Sequence, residues 1–144
     1  MCGLRKVTLR EPYPDSRPKM RGTVTGGADA PVRACDVRFG SADRPQFRLK
    51  TIQESALAGA FGQTVLKQGI EIRDGQGRPM DGSSSPTVAA LRAKCADGPA
   101  VFIAEDRDPN SKHTFVRQIF ASYVEAEAER LDCEPLHFRM ATRM

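Results

Sequence analysis

The chain has 144 residues, near the commonest size of a single domain and long enough to bury one sizeable core but not two. Its 40% hydrophobic and 28% charged residues exclude a disordered chain, and no apolar run approaches the roughly 18 residues that cross a bilayer. The net charge of +4 is unevenly spread: residues 1–50 carry 11 basic and 5 acidic groups, and residues 51–144 carry 11 and 13.

The first residues, Met1-Cys2-Gly3-Leu4-Arg5-Lys6, have no apolar signal segment behind their charges, so a cytoplasmic or nuclear location is expected. Leu4, Val7 and Leu9 suggest a short edge strand over 4–10, stopped by Pro12 and Pro14. Residues 11–31 hold four prolines with Gly22, Gly26 and Gly27 and read as a linker or mobile loop. Arg17, Lys19 and Arg21 make this segment basic, fit to meet an acidic surface or a phosphate backbone. No aromatic platform is interleaved with them, which favours a solubilising tail. The chain thus divides into an N-terminal segment, 1–31, and one domain, 32–144.

Within that domain, Val32 to Phe39 alternates, with Cys35, Val37 and Phe39 on one face, and Phe47 and Leu49 repeat the alternation, which predicts a β-hairpin. Thr51-Ile52-Gln53-Glu54 has capping-box spacing, predicting a helix over 52–68 with Leu57, Phe61 and Val65 as its buried stripe and Gly69 as its left-handed end. Glu71-Ile72-Arg73 reads as a strand, Asp74-Gly75 and Gly77 as a hairpin turn into Arg78-Pro79-Met80, and Asp81-Gly82 as another turn. Ser85-Pro86 is an N-cap arrangement, and Val88, Leu91 and Cys95 lie at helical spacing, so a three-turn helix closed by Asp97-Gly98 is expected. Ala100 to Ala104 is a short apolar run expected to be a strand buried on both faces. A helix follows in which Phe115, Val116, Ile119, Phe120, Tyr123 and Val124 form a wide apolar stripe, while Arg117, Gln118, Glu125, Glu127 and Glu129 occupy the remainder. That stripe must face the core or a partner. Pro135 ends the helix, and Leu136, Phe138 and Met140 alternate as a last strand.

The order β-β-α-β-β-α-β over 32–105 resembles the β-grasp fold of ubiquitin. More narrowly, Gln46-Phe47-Arg48-Leu49-Lys50-Thr51, Leu57, Lys67-Gln68-Gly69-Ile70, Asp74-Gly75-Gln76-Gly77-Arg78-Pro79-Met80, Ser85-Pro86-Thr87 and Asp97-Gly98-Pro99-Ala100-Val101 are similar to small ubiquitin-related modifiers and their like-domains. The resemblance implies an α+β fold: a mixed sheet with one crossing helix over 32–105, and an added helix and strand over 106–144. Conjugated members end in Gly-Gly, whereas Ala104-Glu105-Asp106-Arg107 runs onward here, so a built-in docking module is implied and not a transferable modifier. It implies peptide addition along the strand at 46–50, with Arg48 and Lys50 facing the partner. Without the resemblance, these two are solvent-facing alternates of a half-buried strand.

Chemical signatures are sparse. Cys2 suggests an N-terminal-cysteine amidohydrolase, but nothing downstream supplies that chemistry's further motifs. Cys133 and His137 are four apart, and Pro135 between them argues against a shared metal. Cys2, Cys35, Cys95 and Cys133 form no Cys-x-x-Cys pair and are expected to be reduced thiols. The reading is a non-catalytic protein-interaction module or adaptor with no cofactor, metal or membrane partner. Its binding residues are Arg48 and Lys50 on the strand edge or Phe115, Ile119 and Tyr123 on the helix, with a protein partner or a homodimer. Nucleic-acid binding through the basic N-terminal third is the alternative.

Overall fold

The computed structural model describes residues 20–26, 32–39, 47–53, 69–85, 87–107, 115–134 and 136–139. Eight strands form one antiparallel sheet: β1 (Met20–Thr25), β2 (Val32–Phe39), β3 (Phe47–Gln53), β4 (Ile70–Asp74), β5 (Pro79–Ser84), β6 (Val88–Cys95), β7 (Gly98–Asp106) and β8 (Phe138–Arg139). Their spatial order is β1-β2-β3-β7-β6-β5-β4-β8. Two meanders, β1 to β3 and β4 to β7, therefore meet where β3 pairs with β7. One helix among the described residues, α1 (Phe115–Arg130), packs on one face of β7, β6 and β3.

This overturns the expected β-grasp: the sheet is wholly antiparallel. Residues expected to form a short helix, 88–95, are the interior strand β6. The reason lies in β6 itself. Ala89, Leu91 and Ala93 join the core beneath α1, Ala90 packs on the opposite side, and β6 pairs with β7 from Val88 to Cys95 and with β5 from Ala89 to Leu91. Alternation satisfied by two ladders outweighs a three-residue match to helical spacing. Ser85 does not cap a helix; its amide donates to Val88 O at 2.7 Å and its hydroxyl accepts from the Val88 amide at 3.1 Å, closing the β5–β6 turn.

The capping-box reading fails for a similar reason. Thr51, Ile52 and Gln53 continue β3, paired with β7 from Phe47 to Gln53. Residues 54–68 lie outside the described part, as does the strand expected over 4–10. Part of the expected linker, Met20–Thr25, is strand β1. Asp81-Gly82, expected to turn, lies inside β5. Gly69 carries no left-handed backbone; a Cβ there would collide with the Ser84 carbonyl, so glycine serves close approach.

Other expectations hold. The β4–β5 turn forms as read: Gly77 takes φ +81°, and Asp74 Oδ1 accepts from the Gln76 and Arg78 amides at 2.8 and 2.9 Å. The Arg78 amide above all, with the Gln76 amide and the Arg78 charge, holds the Asp74 carboxyl below its ordinary value against the opposing effect of burial. β7 is buried on both faces, with Phe102, Ala100 and Ala104 beneath α1 and Val101 and Ile103 opposite. Four alanines, at 89, 93, 100 and 104, face each other as cross-strand pairs and let the helix approach the sheet. Phe102 meets Tyr123 edge-on at 6.5 Å, and Phe120 meets Phe138 at 6.0 Å. β8 is shorter than the alternation of Leu136, Phe138 and Met140 suggested.

The cysteine reading is corrected. Cys95 and Cys133 form a disulfide, and Cys35 is also disulfide-bonded. Spacing along the chain could not reveal this, because the partners are 38 residues apart and are brought together only by the docking of α1.

Among the described residues, one buried side-chain polar atom stands without a partner, the Ser84 hydroxyl on β5. An unmade hydrogen bond at a buried site costs about 1–3 kcal/mol. Ser84→Ala should therefore leave the fold intact and raise stability by roughly 1 kcal/mol, read as a higher midpoint in urea. A lower midpoint would mean that the hydroxyl has a role.

Candidate functional site

Helix α1 presents two polar regions, one turned into the protein and one outward. The inward one centres on Glu127, which the sequence set among the charged residues beside the apolar stripe and which is 2% exposed. Arg130 grips its carboxylate with two donors, Nε to Oε2 at 2.6 Å and Nη2 to Oε1 at 3.0 Å. Arg33 Nη1 on β2 donates to Oε2 at 3.2 Å, and the Thr51 hydroxyl on β3 donates to Oε1 at 2.7 Å. The Tyr123 hydroxyl stands 2.6 Å from Thr51 Oγ1 and 3.3 Å from Oε1.

Burial acts to raise the Glu127 carboxyl, yet the hydrogen bonds of Arg130 and Thr51, with the charges of Arg130 and Arg33, together bring it below its ordinary value of 4.5. Burial and the neighbouring Glu127 charge push the Tyr123 phenol well upward. The carboxylate thus stays ionised and the phenol protonated, and both oxygens of Glu127 are engaged. This group fastens α1 to β2 and β3; it is not poised for acid–base exchange.

The sequence-predicted strand site is placed differently from expectation. β3 has β2 on one side and β7 on the other, so residues 47–50 offer no open border for strand addition. Arg48 forks onto Asp36, Nε to Oδ1 at 2.6 Å and Nη2 to Oδ2 at 3.2 Å, and this hydrogen bond, against a smaller opposing effect of burial, holds the Asp36 carboxyl below its ordinary value. Lys50 reaches Glu105 on β7 at 3.4 Å. Both cations are thus engaged within the sheet. On the helix, Ile119 and Tyr123 are buried in the core. The Phe115 side chain lies outside the described residues, as do Cys2, Arg17 and Lys19.

The outward region is a cleft of about 700 Å³ between the C-terminal half of α1, the β4–β5 turn and the segment leading to β8. Its lining includes Ala121, Val124, Ala128, Leu136 and Phe138 as apolar surface. Around them stand Glu125, Glu129, Asp132 and Glu134, with His137 the one other ionisable side chain of the lining among the described residues. Among the described residues, no lysine or arginine lines it.

The far wall exists because of how α1 ends. The Cys133 amide donates to Ala128 O at 2.8 Å and the Asp132 amide to Glu129 O at 3.3 Å, the Schellman pattern, with Asp132 at φ +52° in the place usually held by glycine. The chain thereby reverses ahead of Pro135 and crosses the end of the β6–β7 hairpin. There the Ala96 amide donates to the carbonyls of Leu131 and Asp132, at 3.4 and 3.1 Å, and the Glu134 amide donates to Lys94 O at 2.9 Å. The disulfide closes the same crossing. Sequence reasoning missed the cleft, although the run Glu125 to Glu134 carries five acidic residues against one arginine.

Among the described residues no group of His, Cys, Asp and Glu is arranged to hold a metal ion, and no helix is long and apolar enough to cross a membrane. Cys133, weighed with His137 as a ligand pair, is committed to its disulfide. No family model matches the chain, and no curated protein and no solved structure is similar to it at a meaningful level.

Proposed function

We propose that this chain is a non-catalytic protein-binding module that takes a cationic, amphipathic segment of a partner protein into the cleft between α1 and residues 131–138. The carrying observation is the lining among the described residues: apolar side chains framed by Glu125, Glu129, Asp132 and Glu134, with no lysine or arginine among them. A segment with lysines or arginines beside leucines would satisfy both halves of that surface, and the charges would steer its approach. Phosphate is repelled by the same carboxylates, so the cleft lends nothing to a nucleic-acid partner. The Cys95–Cys133 bond favours an oxidising compartment over the cytoplasm or nucleus.

Titration calorimetry with a short amphipathic peptide of lysine and leucine tests this. Binding is expected to weaken steeply with salt and by about tenfold or more in the Glu125→Lys/Glu129→Lys variant, a loss of about 1.4 kcal/mol or more. Equal affinity of that variant, or equal binding of a glutamate–leucine peptide, would refute the reading.

A further inference from the structure

Among the described residues, the outer wall of the cleft from Leu131 onward meets the sheet through three backbone hydrogen bonds at Ala96 and Lys94 and the two-residue pairing of β8 with β4, meets α1 through the Phe120–Phe138 ring contact, and lays Leu131, Leu136 and Phe138 against the margin of the core. The covalent link at its start is Cys95–Cys133, and Cys133 is itself a lining residue of the cleft. Both cysteines are partly exposed, so a small reductant can reach the bond. Directly before Cys133, Asp132 holds a left-handed backbone that side-chain-bearing residues seldom adopt. A short strap whose one covalent anchor is this bond forms half of the binding surface.

We propose that the Cys95–Cys133 disulfide is a redox gate on this cleft: oxidised, it fixes Leu136 and Phe138 opposite the helix, and reduced, it lets the wall swing away and binding collapse. The inference rests on the cleft being the binding site. The chemistry is thiol–disulfide exchange with a dithiol. One thiolate attacks a sulfur of the bond to give a mixed disulfide, and the second displaces it. Cys95 and Cys133 each end as a thiol, while the dithiol is oxidised to its own disulfide.

The test combines calorimetry with hydrogen exchange on the full chain, using the lysine–leucine peptide as probe. The oxidised protein is expected to bind, and dithiothreitol to reduce affinity at least about tenfold. The Cys95→Ser/Cys133→Ser variant, which leaves the Cys35 bond in place, should bind as weakly as the reduced protein and respond to dithiothreitol no further. In parallel, reduction should raise exchange across 131–139 while β3 and β7 stay protected. Undiminished affinity after reduction, unchanged exchange over 131–139, or loss of protection throughout the sheet would each overturn the gate. Failure of the oxidised protein to bind would instead remove the proposed function itself.

Discussion

Glu127→Ala is expected to be the most damaging single substitution on α1, lowering stability by about 3–5 kcal/mol, because it strands partly buried guanidiniums around an emptied acceptor site. Arg33 and Arg130 would lose their shared carboxylate, and Thr51 and Tyr123 a common acceptor. For a chain of this length the melting temperature should fall by roughly 10 °C or more. Glu127→Gln keeps the shape and one acceptor oxygen, so it should fall between wild type and alanine. The pH dependence has a definite sign. A carboxyl depressed in the folded state contributes in full above its ordinary value of 4.5, and its contribution is lost as pH falls through the folded value. Acid melts should therefore separate wild type from Glu127→Ala less than neutral melts do. A drop of under about 2 °C at neutral pH would show that the clasp does not hold the helix.

Removal of the Cys95–Cys133 bond is the second large effect. The bond closes a loop of 38 residues, for which the chain-entropy account gives about 4 kcal/mol of stabilisation through restriction of the unfolded chain. Cys95→Ser/Cys133→Ser should remain folded, since the core cluster of β2, β3, β6, β7 and α1 does not depend on the bond, but its denaturation midpoint should fall accordingly. Urea unfolding of the variant and wild type, both without reductant, measures it. Coincident midpoints would mean that the bond does not restrict the unfolded chain.

The sequence was legible where short-range chemistry and long-range packing agree. The β4–β5 turn needs an Asp and a glycine of positive φ, both visible at Asp74 and Gly77; β7 is an apolar run with one fate; and the stripe from Ile119 to Val124 leaves no alternative to a helix. Legibility failed where a local signal competed with neighbours distant in the chain. Thr51 to Glu54 has a helix-start pattern, but Thr51 to Gln53 gain β7 as a partner and stay extended. Leu91 and Cys95 match helical spacing, yet the charges at Arg92 and Lys94 also fit a strand alternation. Glu127 follows Tyr123 by four and Val124 by three, so its inward direction could be read from the period; what hid it was its charge, which becomes tolerable only when Arg33 and Thr51 arrive from other strands. The cleft was invisible because its far wall depends on a disulfide and an αL Asp132.

The meeting of β3 with β7 bears on how the molecule assembles. Each meander is built from neighbours in the chain, and hairpins of that kind form in about 1–10 μs. Ile52 and Val101, by contrast, stand 49 residues apart and yet pair directly. Apart from the short β4–β8 pairing, loop-closure entropy in the sheet falls on this seam, which makes long-range encounter the slow part of folding. Helix α1 spans that seam, tied to β2 and β3 through Glu127 and, just past its end, to β6 through Cys133, so it acts as a splint over the junction that the β3–β7 ladder makes.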